Sequence, residues 1–141
     1  MTELNISIEE NPAPSDLAVI ERALVEHNEA RSEPRNYTPL AIFLRNAEGQ
    51  IVGGLRGLTV WGWLFVSQLW VAEDLRGQDY GTKLMNAAEL EAKSRGCYAA
   101  YVDTFSFLAL DFYRKIGYTV FGTLEDFPKG HTRYFLKKVF T

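Results

Sequence analysis

Apolar and polar positions alternate from Leu4 to Glu9, with Ile6 and Ile8 set against Asn5 and Ser7, and this period of two predicts a first strand. Pro12 and Pro14 end it. Ser15 can then cap a helix running to about Arg31, with Asp16 in its first turn. Leu17, Ile20, Leu24 and His27 share one face of that helix, so His27 reads as a residue at the edge of a core. Arg31 to Tyr37 is polar, contains Pro34, and reads as a loop.

Two apolar, β-branched or aromatic runs follow, Pro39 to Arg45 and Gln50 to Val60, joined by Asn46-Ala47-Glu48-Gly49 in the manner of a hairpin. Gly53, Gly54 and Gly57 weaken the second strand and suggest a bulge or close backbone approach. Trp61-Gly62-Trp63 makes the next turn, and Leu64 to Val71 is the third hairpin-connected strand. A helix then runs to about Arg95, with Leu84, Met85, Ala88 and Ala92 on one face, and Gly96 as its cap. Glu89–Lys93 and Glu91–Arg95 are spaced for ion pairs on its surface. Tyr98 to Asp103 reads as a strand parallel to the one before the helix, because the crossover is helical. A short helix, a strand from Tyr118 to Gly122, an acidic turn with Pro128 and a last strand from about Thr132 to Val139 complete the order. The fold class expected is α/β (α+β): one domain over residues 1–141, with a mixed, mostly antiparallel sheet and helices on both faces.

The entry to the long helix carries the chemistry. Leu69-Trp70-Val71 ends a buried strand, a charged turn follows, and Arg76-Gly77-Gln78-Asp79-Tyr80-Gly81-Thr82 leads into the helix. Glycines at 77 and 81 allow close backbone approach, and the unpaired N–H groups of the first turn favour a phosphate. Arg76 adds a cation beside them. The geometry expected is a pyrophosphate cradle.

This segment resembles the acetyl-CoA motif of the GNAT acetyltransferases, Gln/Arg-x-x-Gly-x-Gly/Ala after a strand with a hydrophobic-x-Val run. Arg76, Tyr80 and Gly81 fit, while Asp79 stands where the family has its middle glycine, a departure that a left-handed Asp would accommodate. Tyr113-Arg114-Lys115-Ile116-Gly117-Tyr118 resembles the family's later Tyr-x-x-x-Gly-Phe/Tyr helix, with Ser106 where the family often has an Asn. The two motifs span roughly residues 69 to 121. The resemblance implies that the fourth and fifth strands splay to admit a thioester, and that backbone N–H near Trp70 and Val71 meets its carbonyl. It also implies that Ser106, Phe112 and Tyr113 border the cofactor, and that Tyr113 is the general acid.

No residue announces itself as the base. Asp103 ends its strand where open α/β sheets place ligand groups, although it can equally cap the next helix. Histidine is a residue type suited to a base near neutral pH, but His131 lies in a glycine-containing loop, and an ordered water is a further alternative. Glu73 and Asp74 read as solvated turn residues. Trp61, Trp63, Tyr37 and Phe65 are candidates for the acceptor pocket, against simple core packing.

Composition narrows the field. The net charge of −3 and the lack of a Lys/Arg-dense run outside Arg133 to Lys138 argue against a nucleic-acid partner. Met1 to Asn11 is polar and acidic, unlike a signal peptide, and no apolar run approaches the ~20 residues of a membrane span, so a cytoplasmic protein is expected. The single cysteine, Cys97, excludes an internal disulfide, gives no metal cluster, and reads as a small apolar residue beside a buried strand. The reading that results is an acetyl-CoA-dependent transfer to a small-molecule amine, without metal. The alternatives are a CoA-binding sensor lacking a base, and an acetyltransferase of proteins or peptides. With 13% aromatic residues, the chain carries a surplus in Trp61, Trp63, Phe65, Phe135 and Phe140 that predicts a homodimer.

Overall fold

A computed structural model describes residues 3–141, whose backbone contacts resolve into two compact units, one reaching Arg35 and the other Asn36–Thr141. In the first unit the helix α1 spans Pro14–Glu29. It begins one residue before the expected Ser15 cap, because Pro14 already has the φ that a first helical position needs and Ala13 precedes it in extended backbone. At its C-terminal end Arg31 Nη1 donates to His27 Nδ1 at 3.1 Å, so the His27 ring is engaged by its own helix end. The strand expected over Leu4 to Glu9 does not form: the segment enters no ladder, and an alternating pattern becomes a strand only where neighbouring backbone completes its hydrogen bonds.

The second unit contains β1 (Thr38–Arg45), β2 (Ile51–Val60), β3 (Trp63–Val71), α2 (Tyr80–Ser94), β4 (Ala99–Phe105), α3 (Leu110–Lys115), β5 (Thr119–Glu125) and β6 (Thr132–Val139). The strands form one mixed sheet in the order β1-β2-β3-β4-β6-β5, in which β3 and β4 are the parallel pair and every other pairing is antiparallel. Helix α2 packs on β1, β2 and β3. The alanines at 88 and 92 let the helix axis come close, and Leu84 and Met85 fill the space beside them. Leu55, Leu64, Val66, Val102, Tyr118 and Leu136 complete the core from the sheet side. Cys97 is buried, and burial raises its thiol pKa, in keeping with a structural role.

Two features position the site. Between Arg56↔Gln68 and Gly57↔Val66 the β2–β3 register slips by one residue, leaving Ser67 as a bulge whose hydroxyl donates to the Arg56 carbonyl at 3.0 Å. Gly57 makes this possible, since a Cβ there would overlap the Phe65 carbonyl oxygen. Just beyond, the parallel register of β3 and β4 stops at Val66↔Val102. From there β3 follows β2 to Val71↔Gly53, and β4 follows β6 to Phe105↔Arg133. These are the strands expected to splay as fourth and fifth; the absent N-terminal strand makes them third and fourth.

Candidate acetyl-transfer site

A cavity of about 1080 Å³ occupies the parting of β3 and β4. Leu55, Val66, Leu69 and Trp70 line it from the β2–β3 side, and Asp103 and Tyr113 from the β4–α3 side. Leu69, Trp70, Asp103 and Tyr113, four of the residues singled out in the sequence, therefore share one space. Trp61, Trp63, Tyr37 and Phe65 do not line it. Trp63 packs edge-on against Tyr98 and Tyr101 at 6.1 and 6.3 Å, and Phe65 stacks on Tyr101 at 4.6 Å, all along the paired half of β3 and β4.

Strand alternation tells where the backbone points. Ala72 N–H donates to Val52 O at 2.8 Å, so N–H groups of Trp70 and Ala72 face β2 while those of Leu69 and Val71 face the gap. The Val71 carbonyl faces the same way and accepts from Arg76 Nε at 3.0 Å. Of the two residues expected to meet a thioester carbonyl, Val71 offers its N–H to the gap and Trp70 offers a side chain, 51% exposed.

A single 3-10 turn, Glu73–Leu75, leads from β3 to the loop. Gly77 has φ +76° with open space around it, a conformation that suits glycine. Asp79 also takes the left-handed conformation (φ 66°, ψ 16°) and precedes α2 without a side-chain cap bond. The first intrahelical bond runs from Lys83 N–H to Asp79 O at 3.0 Å. The N–H groups of Tyr80, Gly81 and Thr82 are therefore the open donors of the helix end, with Arg76 before them and Lys83 after. Gln78 turns its amide back to the Asp74 carbonyl at 3.3 Å. Such a concave run of backbone donors at the positive end of a helix fits a pyrophosphate. Gly81 serves another purpose, making room for the Phe112 ring.

Tyr113 is 5% exposed, and its hydroxyl takes no hydrogen bond from the described residues. Burial first, and the nearby Asp103 carboxylate second, push its phenol up to about 12. Asp103 is ion-paired with Arg133 at 2.8 Å, a partner that no sequence pattern indicated. Ser106 and His131 lie outside the cavity lining. The Ser106 hydroxyl accepts from Thr132 N–H at 3.1 Å and stands 3.2 Å from His131 Nδ1, closing the start of β6 onto the end of β4. Among the described residues no group of three or more His, Cys, Asp or Glu side chains converges as a metal site would require.

The family model described as "Acetyltransferase (GNAT) family" matches residues 7–118. An acetyltransferase of Agrobacterium fabrum is 41% identical over 117 residues, covering 83% of this chain and 85% of that protein. Blasticidin-S acetyltransferase of Streptomyces morookaense is 36% identical over 107 residues, covering 75% and 79%. A crystal structure of an acetyltransferase from Agrobacterium tumefaciens superposes with a TM-score of 0.90 at 36% identity, covering 97% of this chain and all of that one. A match reaching from the first helix through both motifs, with relatives this similar, makes the chain a member of the GNAT acetyltransferases.

Proposed function

We propose that this enzyme moves the acetyl group of acetyl-CoA directly to a primary amine of a small molecule, with donor and acceptor bound together. The observation that carries the reading is the single cavity in which the end of β3, Asp103 and Tyr113 meet, a few residues from the loop that fits a pyrophosphate. The name of the blasticidin-S relative supports a small-molecule acceptor. Acetyl-CoA supplies an acyl carbon already activated as a thioester. Arg76 and the N–H groups of residues 80–82 hold the donor's phosphates, and Val71 N–H hydrogen-bonds the carbonyl oxygen, where charge develops. Tyr113 carries the proton for the departing sulfur on its hydroxyl; its raised pKa keeps that proton in place at neutral pH.

Thiol release from acetyl-CoA, measured over a panel of small amines and short peptides with the acetylated product identified by mass, tests the reading. Turnover restricted to small amines is the expected result. Turnover confined to peptides would overturn the acceptor class.

A further inference from the structure

Arg133 Nε and Nη2 both donate to the same oxygen of Asp103, Oδ1, at 3.1 and 2.8 Å. Oδ2 receives no hydrogen bond from the described residues. The arrangement follows from register: Asp103 faces Phe135 and Phe105 faces Arg133 across β4 and β6, so Arg133 reaches diagonally to the carboxylate. Its guanidinium lies 4.8 Å from the ring centre of Phe127, 5.0 Å from that of Phe135 and 5.5 Å from that of Phe105. Three aromatic rings around the cation leave it few directions in which to turn, and one of them is taken by Oδ1. Among the described residues Asp103 is the one carboxylate lining the cavity, with a side chain 15% exposed. The other charged lining residue, Arg56, stands on β2, across the parting and two strands away from β4.

We propose that Asp103 Oδ2 binds a positively charged group of the acceptor other than the nitrogen that is acetylated, with Arg133 as the residue that positions it. The inference rests on the small-amine reading and narrows it to acceptors carrying a second cation. A carboxylate placed on the reacting ammonium would stabilise its protonated, non-nucleophilic form. A carboxylate is also a far weaker base than the alkylamine it would have to deprotonate. Binding a second cation uses the charge without either drawback. It also removes one of the two causes that raise the Tyr113 phenol, so a docked acceptor would make the proton donor stronger.

The test compares butylamine with putrescine, its counterpart bearing a second ammonium, at saturating acetyl-CoA. The wild-type KM is expected to be roughly 10- to 100-fold lower for putrescine, as one charge-assisted hydrogen bond would produce. Asp103→Asn should bring the ratio of the two KM values close to one, and Arg133→Met should shrink it by loosening the carboxylate. A merely structural role would instead weaken both acceptors and acetyl-CoA alike. Acetyl-CoA affinity reports that each variant is folded. Should Asp103→Asn fail to fold around the unpaired Arg133, the double variant Asp103→Asn, Arg133→Met removes both charges and the ratio is read there. A putrescine preference that survives the loss of the carboxylate overturns the proposal. Turnover of butylamine with no diamine preference in the wild type overturns it too, and leaves the small-amine reading standing. A wild type that releases thiol with neither amine nor any other small amine overturns both.

Discussion

Gly81 lies so close to Phe112 that a Cβ on it would stand 3.3 Å from two carbons of the ring, Cε1 and Cζ. The second glycine of the phosphate loop thus ties the start of α2 to α3, the helix that carries Tyr113. A branched side chain at 81 must displace that ring, and Gly81→Val is expected to cost roughly 1–3 kcal/mol of stability. Gly81→Ala should cost less, because a ring shift of a few tenths of an ångström suffices and Ala favours the helix. Urea unfolding of both variants, with and without Phe112→Leu, checks this; a Val variant as stable as wild type would show that the two helices do not press together there.

Asp79 has the conformation that glycine would provide, and its carboxylate caps nothing. Asp79→Gly should therefore be nearly neutral for folding. It should also tighten acetyl-CoA by several-fold, because it removes a negative charge beside the open donors of α2. Calorimetry decides the matter: unchanged affinity would mean that the carboxylate points away from the phosphates.

Replacing Tyr113 by Phe keeps the ring and its packing while removing the proton. Acetyl-CoA affinity should hardly move, and turnover should fall by roughly 10²–10⁴-fold. Steady-state kinetics on a variant with near wild-type turnover would return Tyr113 to a packing role.

The same phenol predicts a pH dependence. Tyr113 is raised from about 10 in the unfolded chain to about 12, and Tyr118 is raised by burial and by Glu89. The folded state thus retains protons that the unfolded state releases. The contribution of Tyr113 to stability is complete below about pH 10 and is lost as pH climbs toward 12, and Tyr118 acts in the same direction. Urea midpoints followed from neutral to strongly alkaline pH should show this decline, and it should be shallower in Tyr113→Phe. Curves that coincide would refute the linkage.

Glu89, 7% exposed, accepts from the Tyr118 hydroxyl and from Lys138 Nζ, each at 2.8 Å. Lys138 also donates to the Ile116 carbonyl, so one cluster joins α2, the turn after α3 and β6. Glu89→Ala takes the acceptor from a buried hydroxyl and the ion-pair partner from a half-buried ammonium, at an expected cost of roughly 2–4 kcal/mol. Chemical denaturation measures it.

The expected homodimer is open to sedimentation at micromolar concentration, where a species of about twice 16.0 kDa is predicted. The large apolar side chains that the fold leaves exposed differ from those that composition suggests. Phe140 packs against the core, and Trp63 and Phe65 pack against Tyr98 and Tyr101, while Phe43, Trp70, Phe107 and Phe121 are each half or more exposed. A monomer alone at that concentration would overturn the prediction.

The run from β1 to β6, the phosphate loop and the late Tyr-containing helix are all legible in the order of residues, because each is a local pattern. Apolar and β-branched runs on either side of Asn46-Ala47-Glu48-Gly49 mark β1 and β2, Leu84, Met85, Ala88 and Ala92 mark one face of α2, and Gly96, at φ +87°, marks its end. Such signals lie within a few residues of what they specify. The two hairpins and the parallel pair are legible as well, but whatever depends on exact register, or on where a pairing stops, came only with the folded chain. Leu4 to Glu9 alternates yet joins no ladder, and Glu89 turns inward to Tyr118 and Lys138 instead of pairing with Lys93. The Ser67 bulge, the parting at Val66↔Val102 and the Asp103–Arg133 pair arise from register between segments far apart in the chain, 30 residues for Asp103 and Arg133 and more for Val66 and Val102. Register is chosen by how whole faces bury against one another, and no single segment contains that information.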